Sequence, residues 1–217
     1  MIKAVIFDFD GVIIDSEPLN DLHFPKYLKK IGINVPPDFL EKFKGTSSKT
    51  QWTHLIEKYK LTKPMDKLIL ESSASYLEYI KSIPDLKPIK GLIELLEILT
   101  ENKIKIALAS SASKKRIFVV LDKLKIANYF PITIGADDIT HGKPNPEVFL
   151  LAAKKMSVFP SDCLVIEDST NGVLAAKNAG MKCIGFADLP YNKQDLSDAD
   201  IIVKSLNQIN WNLILTI

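Results

Sequence analysis

At 217 residues the chain is long enough to bury a sizeable core in one or two domains. Hydrophobic residues make up 47% and charged residues 25%, a balance too apolar for a disordered chain. The net charge of +2, with lysines scattered rather than massed, gives no footing for nucleic acid or an anionic membrane, and no apolar run is long enough to span a bilayer.

The N-terminus passes from Met1 straight into Ile2-Lys3-Ala4-Val5-Ile6-Phe7 without the small-residue site of a secretory signal. Two cysteines, Cys163 and Cys183, lie inside apolar runs, so buried reduced thiols and a cytoplasmic location are expected. A monomer is the default expectation.

In chain order, Ala4 to Phe7 reads as a fully buried strand, near-continuously apolar as parallel strands are. From about Ser16 to Asp85 no strand is visible. Apolar residues there recur at three and four: Leu19, Leu22, His23, Tyr27 and Leu28, then Trp52, Leu55, Ile56 and Tyr59, then Leu68, Tyr76, Leu77 and Ile80. Seventy residues of helix are too many for a simple strand-to-helix connection, so 16–85 is predicted to be a small helical domain inserted into a sheet domain formed by 1–15 and 86–217. A helix over Gly91 to Glu101 then precedes a strand at Lys105 to Ala109. Helices over Asn145 to Met156 and Thr170 to Ala179 accompany strands at Cys163 to Ile166 and Cys183 to Phe186. This alternation predicts an α/β fold with a doubly wound parallel sheet.

In such sheets functional groups gather beyond the carboxyl ends of the strands. Asp8 and Asp10 follow the first strand, Ser110 and Ser111 the second, and Glu167 and Asp168 the Cys163 strand. Lys143 sits in the turn-rich loop Gly142-Lys143-Pro144-Asn145-Pro146, a little after Asp137 and Asp138. Each is ordinary alone, since a strand-end Asp caps helices and Asp168-Ser169 suits a helix N-cap. Together, two carboxylate clusters, a hydroxyl and an ammonium at one sheet edge suit a phosphate and a hard divalent ion such as Mg²⁺. Phosphoryl transfer asks a protein mainly for such positioning and charge stabilisation, with a carboxylate able to act as nucleophile. A second carboxyl at Asp10 supplies an acid/base for the leaving oxygen and for water.

These residues resemble the haloacid dehalogenase superfamily, in its phosphatase and β-phosphoglucomutase-like branch, over essentially the whole chain. Asp8-Phe9-Asp10-Gly11-Val12-Ile13-Ile14-Asp15-Ser16 is similar to the first motif and Ala109-Ser110-Ser111 to the second. Lys143-Pro144-Asn145-Pro146 is similar to the third, and Ile166-Glu167-Asp168-Ser169 with Asn171-Gly172 to the fourth. The resemblance implies a modified Rossmann core with an inserted helical cap. It also implies Asp8 as nucleophile and Mg²⁺ ligand, Asp10 as acid/base and metal ligand through its carbonyl, and Asp168 as a further ligand. Glu167 would be either a ligand or an orienting group, and Ser110, Ser111 and Lys143 would hold the phosphate, joined by Lys44 and Gly45 from the cap. Dehalogenases of the superfamily lack the second Asp, so Asp10 points to phosphoryl transfer.

β-Phosphoglucomutases of this branch carry a His on the first cap helix and an Arg after a Lys-Gly loop. Here Asn20 stands at the former position, and the loop Lys44-Gly45-Thr46-Ser47-Ser48-Lys49 has Ser48 at the latter. Lysine is a poor substitute for the bidentate clamp of an arginine. The resulting expectation is a Mg²⁺-dependent phosphatase of a small phosphorylated metabolite, a sugar phosphate in particular. The rivals are a β-phosphoglucomutase-type isomerase and a non-catalytic binder of phosphorylated metabolites. His54, Trp52 and His141 are assigned no catalytic part.

Overall fold

The first apolar run forms β1 (Ala4–Phe7) at the centre of a sheet. The helices α1 (Glu17–Lys30), α2 (Ser48–Tyr59) and α3 (Met65–Ser82) follow among the described residues. The chain then alternates through α4 (Leu92–Glu101), β2 (Lys105–Ala109), α5 (Lys114–Lys123), β3 (Ile132–Ile134), α6 (Glu147–Met156), β4 (Cys163–Glu167), α7 (Thr170–Asn178), β5 (Lys182–Phe186), β6 (Ile201–Val203) and α8 (Trp211–Thr216). The computed structural model describes residues 1–36, 39–40, 42, 48–188 and 193–217. It divides into two compact units, Met1–Ser16 with Leu86–Ile217, and Glu17–Asp85.

In the first unit the six strands are all parallel, in the order β3-β2-β1-β4-β5-β6. Ala4 registers with Lys105 on one side and Cys163 on the other, so β1, β2 and β4 end level with one another. Every residue of β1 and β4 is buried, the consequence of helices covering both faces. One face packs Ala4, Ile6, Ala107, Ala109 and Val165 against Val148, Phe149, Ala152 and Ala153 of α6 and Val173, Ala175 and Ala176 of α7. Small side chains on both sides allow the helices to lie close to the sheet. Both cysteines are free and buried there.

The α/β reading of the sequence holds, and the four strands predicted are the four central ones. β3 and β6 went unpredicted because each has only three residues and lies at an edge, too short for a burial pattern to register. β3 matters for the site: it is the strand from which the Lys143 loop departs.

The second unit sets aromatic rings among branched aliphatics at its centre. Trp52 stands edge-on to Phe24 and Tyr27, at centroid distances of 5.6 and 6.4 Å, with Leu28, Ile33, Leu55 and Leu68 around them. Leu22, counted in the apolar stripe of the sequence, instead faces solvent at 54% exposure. His23 beside it is buried, its Nε2 2.9 Å from Ser75 Oγ and its ring stacked on Tyr27 and Tyr79.

Candidate active site

Asp8 prolongs β1 by one residue, donating its N–H to Ile166 O at 3.0 Å. The chain must then turn at once. Gly11 makes this possible with φ of +78°, and Ile13 N–H closes the turn on Phe9 O at 2.9 Å. A Cβ on Gly11 would also fall on the Asp168 carboxylate, so glycine is required twice over. Beyond β2, Ser110 is buried, its N–H bonded to Ile134 O and its Oγ accepting from Ala112 N–H, both at 3.0 Å. Ser111 is exposed.

Glu167 is the last residue of β4, and Ser169 is the N-cap of α7, its Oγ accepting from Gly172 N–H at 3.1 Å. Ser169 also donates to Glu167 Oε2 from its N–H, 2.8 Å, and its Oγ, 2.9 Å. Gly172 is placed where any Cβ would overlap the Glu167 carboxylate. The connection from β3 to α6 carries Lys143. Glu147 holds this connection by accepting from the N–H of Thr140, 2.9 Å, and of His141, 2.8 Å, and Asn178 Nδ2 donates to Pro144 O at 3.1 Å.

Four of these groups converge. Lys143 Nζ donates to Asp8 Oδ1 at 2.5 Å and to Glu167 Oε1 at 2.6 Å, and its side chain is only 7% exposed. Oxygens of Asp8, Glu167 and Asp168 all lie within 4.8 Å of one another. One ammonium therefore faces three carboxylates in a setting with little solvent screening. Burial and then the Glu167 charge push Asp8 up to about 7 despite Lys143. Burial, followed by Glu167 and Asp8, pushes Asp168 up to about 9. Burial alone would lower Lys143, but Asp8 and Glu167 overcome it and hold it as the ammonium, above its usual range. The imbalance lies on the anionic side, and it is the imbalance a divalent cation corrects. The three carboxylates can hold such an ion, and hard oxygen donors suit magnesium or its neighbours.

The Asp10 carboxylate is not one of the three. It turns to Arg116 Nη2, on α5, and its other oxygen is buried without a hydrogen-bond partner. Arg116 was not singled out from the sequence, though a signal existed: it is the only arginine in the chain. Asp137 and Asp138 brace the start of α5, accepting from Lys114 N–H and Nζ at 2.7 and 3.1 Å. His141 is exposed and bonded to Glu147. Lys44 and Gly45 lie outside the described residues. A cavity of about 610 Å³ opens at the amino ends of β2 and β3, lined by Lys103, Lys105, Tyr129, Ile132 and Met156 among others; no carboxylate lines it and it is remote from this chemistry.

The sheet order, the strand-end carboxylates and the buried lysine define a class of hydrolase. Residues 5–186 match the family of haloacid dehalogenase-like hydrolases, and the chain belongs to that family. Among curated relatives, a phosphorylated carbohydrates phosphatase of Thermotoga maritima is 31% identical over 84% of this chain and 83% of its own. A β-phosphoglucomutase of Bacillus subtilis is 30% identical over 98% and 93%. A solved β-phosphoglucomutase of Clostridium difficile superposes with a TM-score of 0.81 at 32% identity, covering 99% of this chain and 96% of that one. Within the family the chain falls in the phosphatase and β-phosphoglucomutase-like branch and is an enzyme of the phosphoric monoester hydrolase type. No helix among the described residues is long and apolar enough to cross a membrane.

Proposed function

We propose that the protein is a Mg²⁺-dependent phosphatase that hydrolyses a small phosphorylated metabolite, a sugar phosphate in particular, through a phosphoryl group carried on Asp8. The observation that carries this reading is Lys143 bound at once to Asp8 and Glu167, beside Asp168, in a buried anionic cluster. A carboxylate surrounded by carboxylates attacks a phosphate dianion only where cations offset the repulsion. Lys143 is one such cation. Asp8, Glu167 and Asp168 would hold Mg²⁺, with Asp10 contributing its backbone carbonyl, and the bound ion would neutralise charge on the phosphate.

In the first step an oxygen of Asp8 attacks phosphorus as the bond to the leaving oxygen breaks, and Asp10 gives that oxygen its proton. Lys143, the Ser110 hydroxyl and the backbone N–H groups near Gly11 and Ser111 steady the phosphoryl oxygens. In the second step Asp10, now a carboxylate, takes a proton from water. The water oxygen attacks phosphorus, the bond to Asp8 breaks, and inorganic phosphate leaves with both carboxyls restored.

Water rather than a sugar hydroxyl is the favoured acceptor. Position 20 on α1 is an exposed Asn, and the nearby His23 is buried against Ser75, so α1 offers no accessible histidine for a mutase reaction. A coupled assay separates the two: glucose 6-phosphate appearing from β-glucose 1-phosphate without matching free phosphate would establish a mutase. For the mechanism itself, Asp8→Asn is expected to cut turnover by about 10⁴-fold or more, and chelation to abolish it reversibly. Substantial turnover by Asp8→Asn in metal-free buffer would overturn the reading.

A further inference from the structure

Arg116 has no part in the scheme above, yet its placement is specific. It is the only arginine among 28 lysines and arginines. Ser113 is the N-cap of α5, its Oγ accepting from Arg116 N–H at 3.4 Å, which sets Arg116 in the first turn of that helix. From there its guanidinium centre lies 5.4 Å from the Phe9 ring centroid, and Nη2 binds Asp10 Oδ2. Phe9 and Asp10 are adjacent residues of the turn that follows β1. Arg116 therefore touches both, with its side chain 24% exposed.

The two oxygens of Asp10 differ in consequence. Oδ2 is gripped, whereas Oδ1 is buried with no hydrogen-bond partner. The carboxylate is not in the set of Asp8, Glu167 and Asp168 whose oxygens all lie within 4.8 Å of one another, although its charge helps to raise both Asp8 and Asp168. The Arg116 guanidinium holds the Asp10 carboxylate toward α5, which opposes its joining that group as a fourth carboxylate beside one ammonium. A lysine could supply the charge but not the direction, because a planar guanidinium fixes the oxygen it binds and an ammonium does not.

We infer that Arg116 is a positioning residue for the proton transfer: it holds Asp10 by Oδ2, turned toward α5, and leaves Oδ1 to exchange a proton with the leaving oxygen and then with water. The inference rests on the reading of Asp10 as acid/base. It distinguishes Arg116 from a residue that binds substrate, whose loss would raise KM, and from a brace of the fold, whose loss would slow every substrate alike.

The test compares two probes, glucose 6-phosphate, whose leaving alkoxide needs a proton, and p-nitrophenyl phosphate, whose phenolate leaves without one. Arg116→Met is expected to lower kcat on glucose 6-phosphate by about 10- to 100-fold with KM within about twofold of wild type. The burst of p-nitrophenolate in rapid mixing should keep its rate within about twofold. Arg116→Lys should regain part of the loss, and it carries the test if the Met variant does not fold. Equal losses on both probes, a raised KM with unchanged kcat, or wild-type rates would each overturn the inference. Asp10→Asn is the control. If it shows the leaving-group selectivity and Arg116→Met does not, the assignment of Arg116 alone fails. If Asp10→Asn shows no selectivity, the acid/base reading fails first and this inference with it.

Discussion

The two units differ in how their cores are filled and put polar groups to opposite use. The sheet unit packs small aliphatic side chains tightly and then places three carboxylates and one ammonium at the carboxyl edge of its strands. The helical unit packs aromatic rings among aliphatics and, among its described residues, buries His23 Nδ1 and Tyr27 Oη without a hydrogen-bond partner. In the first, buried charge is concentrated and short of a counter-ion. In the second, buried polarity is neutral and dispersed among rings. The lesson is that burial alone does not mark a site; an uncompensated charge in reach of a strand end does.

Trp52→Ala probes this contrast with the largest expected effect. Trp52 is 1% exposed and central to the ring cluster, so its loss should cost about 3–5 kcal/mol in urea unfolding. The carboxylate cluster is built from residues of the other unit, and Mn²⁺ affinity under folding conditions should stay within about twofold of wild type. A parallel collapse of Mn²⁺ binding in still-folded protein would show that the two units are not separable in this way.

Gly172→Ala makes the converse cut. Alanine is the better helix former by about 1 kcal/mol, so propensity alone favours the variant. The added methyl nevertheless falls on the Glu167 carboxylate, which must move away from Lys143 and Ser169. Displacing one of the carboxylates proposed to hold the ion is expected to weaken Mn²⁺ binding and lower kcat by about 10- to 100-fold. Unaltered affinity and turnover would mean that Glu167 has no part in holding the ion.

These variants also indicate what could be read from the sequence. The central strands were legible because both their faces are covered, which leaves an uninterrupted apolar run. The edges β3 and β6 were not, since three residues carry no period. Asp8, Lys143, Glu167 and Asp168 were legible through their motifs, and the structure brings them together within one cluster. Arg116 was not, because its role depends on a helix cap at Ser113 and a turn at Gly11 that jointly direct it to Asp10. Nor was Gly172, whose requirement for the smallest side chain arises from a carboxylate five residues earlier folding back over α7.

The sharpest test of the contrast is pH, because the two units should respond to it with opposite sign. In metal-free protein burial, with the neighbouring carboxylates, pushes Asp8 up to about 7 and Asp168 up to about 9, against a usual value of 3.8. Between those values the native state binds more protons than the unfolded chain, so stability falls as pH rises. His23 is displaced the other way, burial holding it below its usual 6.5. Below 6.5 the unfolded chain binds the extra proton, so its contribution to stability is lost as pH falls. Melting temperatures of metal-free protein from pH 5 to 8 should therefore show both slopes superposed, with the carboxylate slope the steeper. Asp168→Asn should flatten the alkaline side, as should added Mg²⁺, which needs the carboxylates ionised and so releases their protons on binding. His23→Gln should flatten the acid side and leave the response to Mg²⁺ intact. If Asp168→Asn instead altered only the acid side, the surplus of buried negative charge at the strand ends would not be what distinguishes the sheet unit from its helical neighbour.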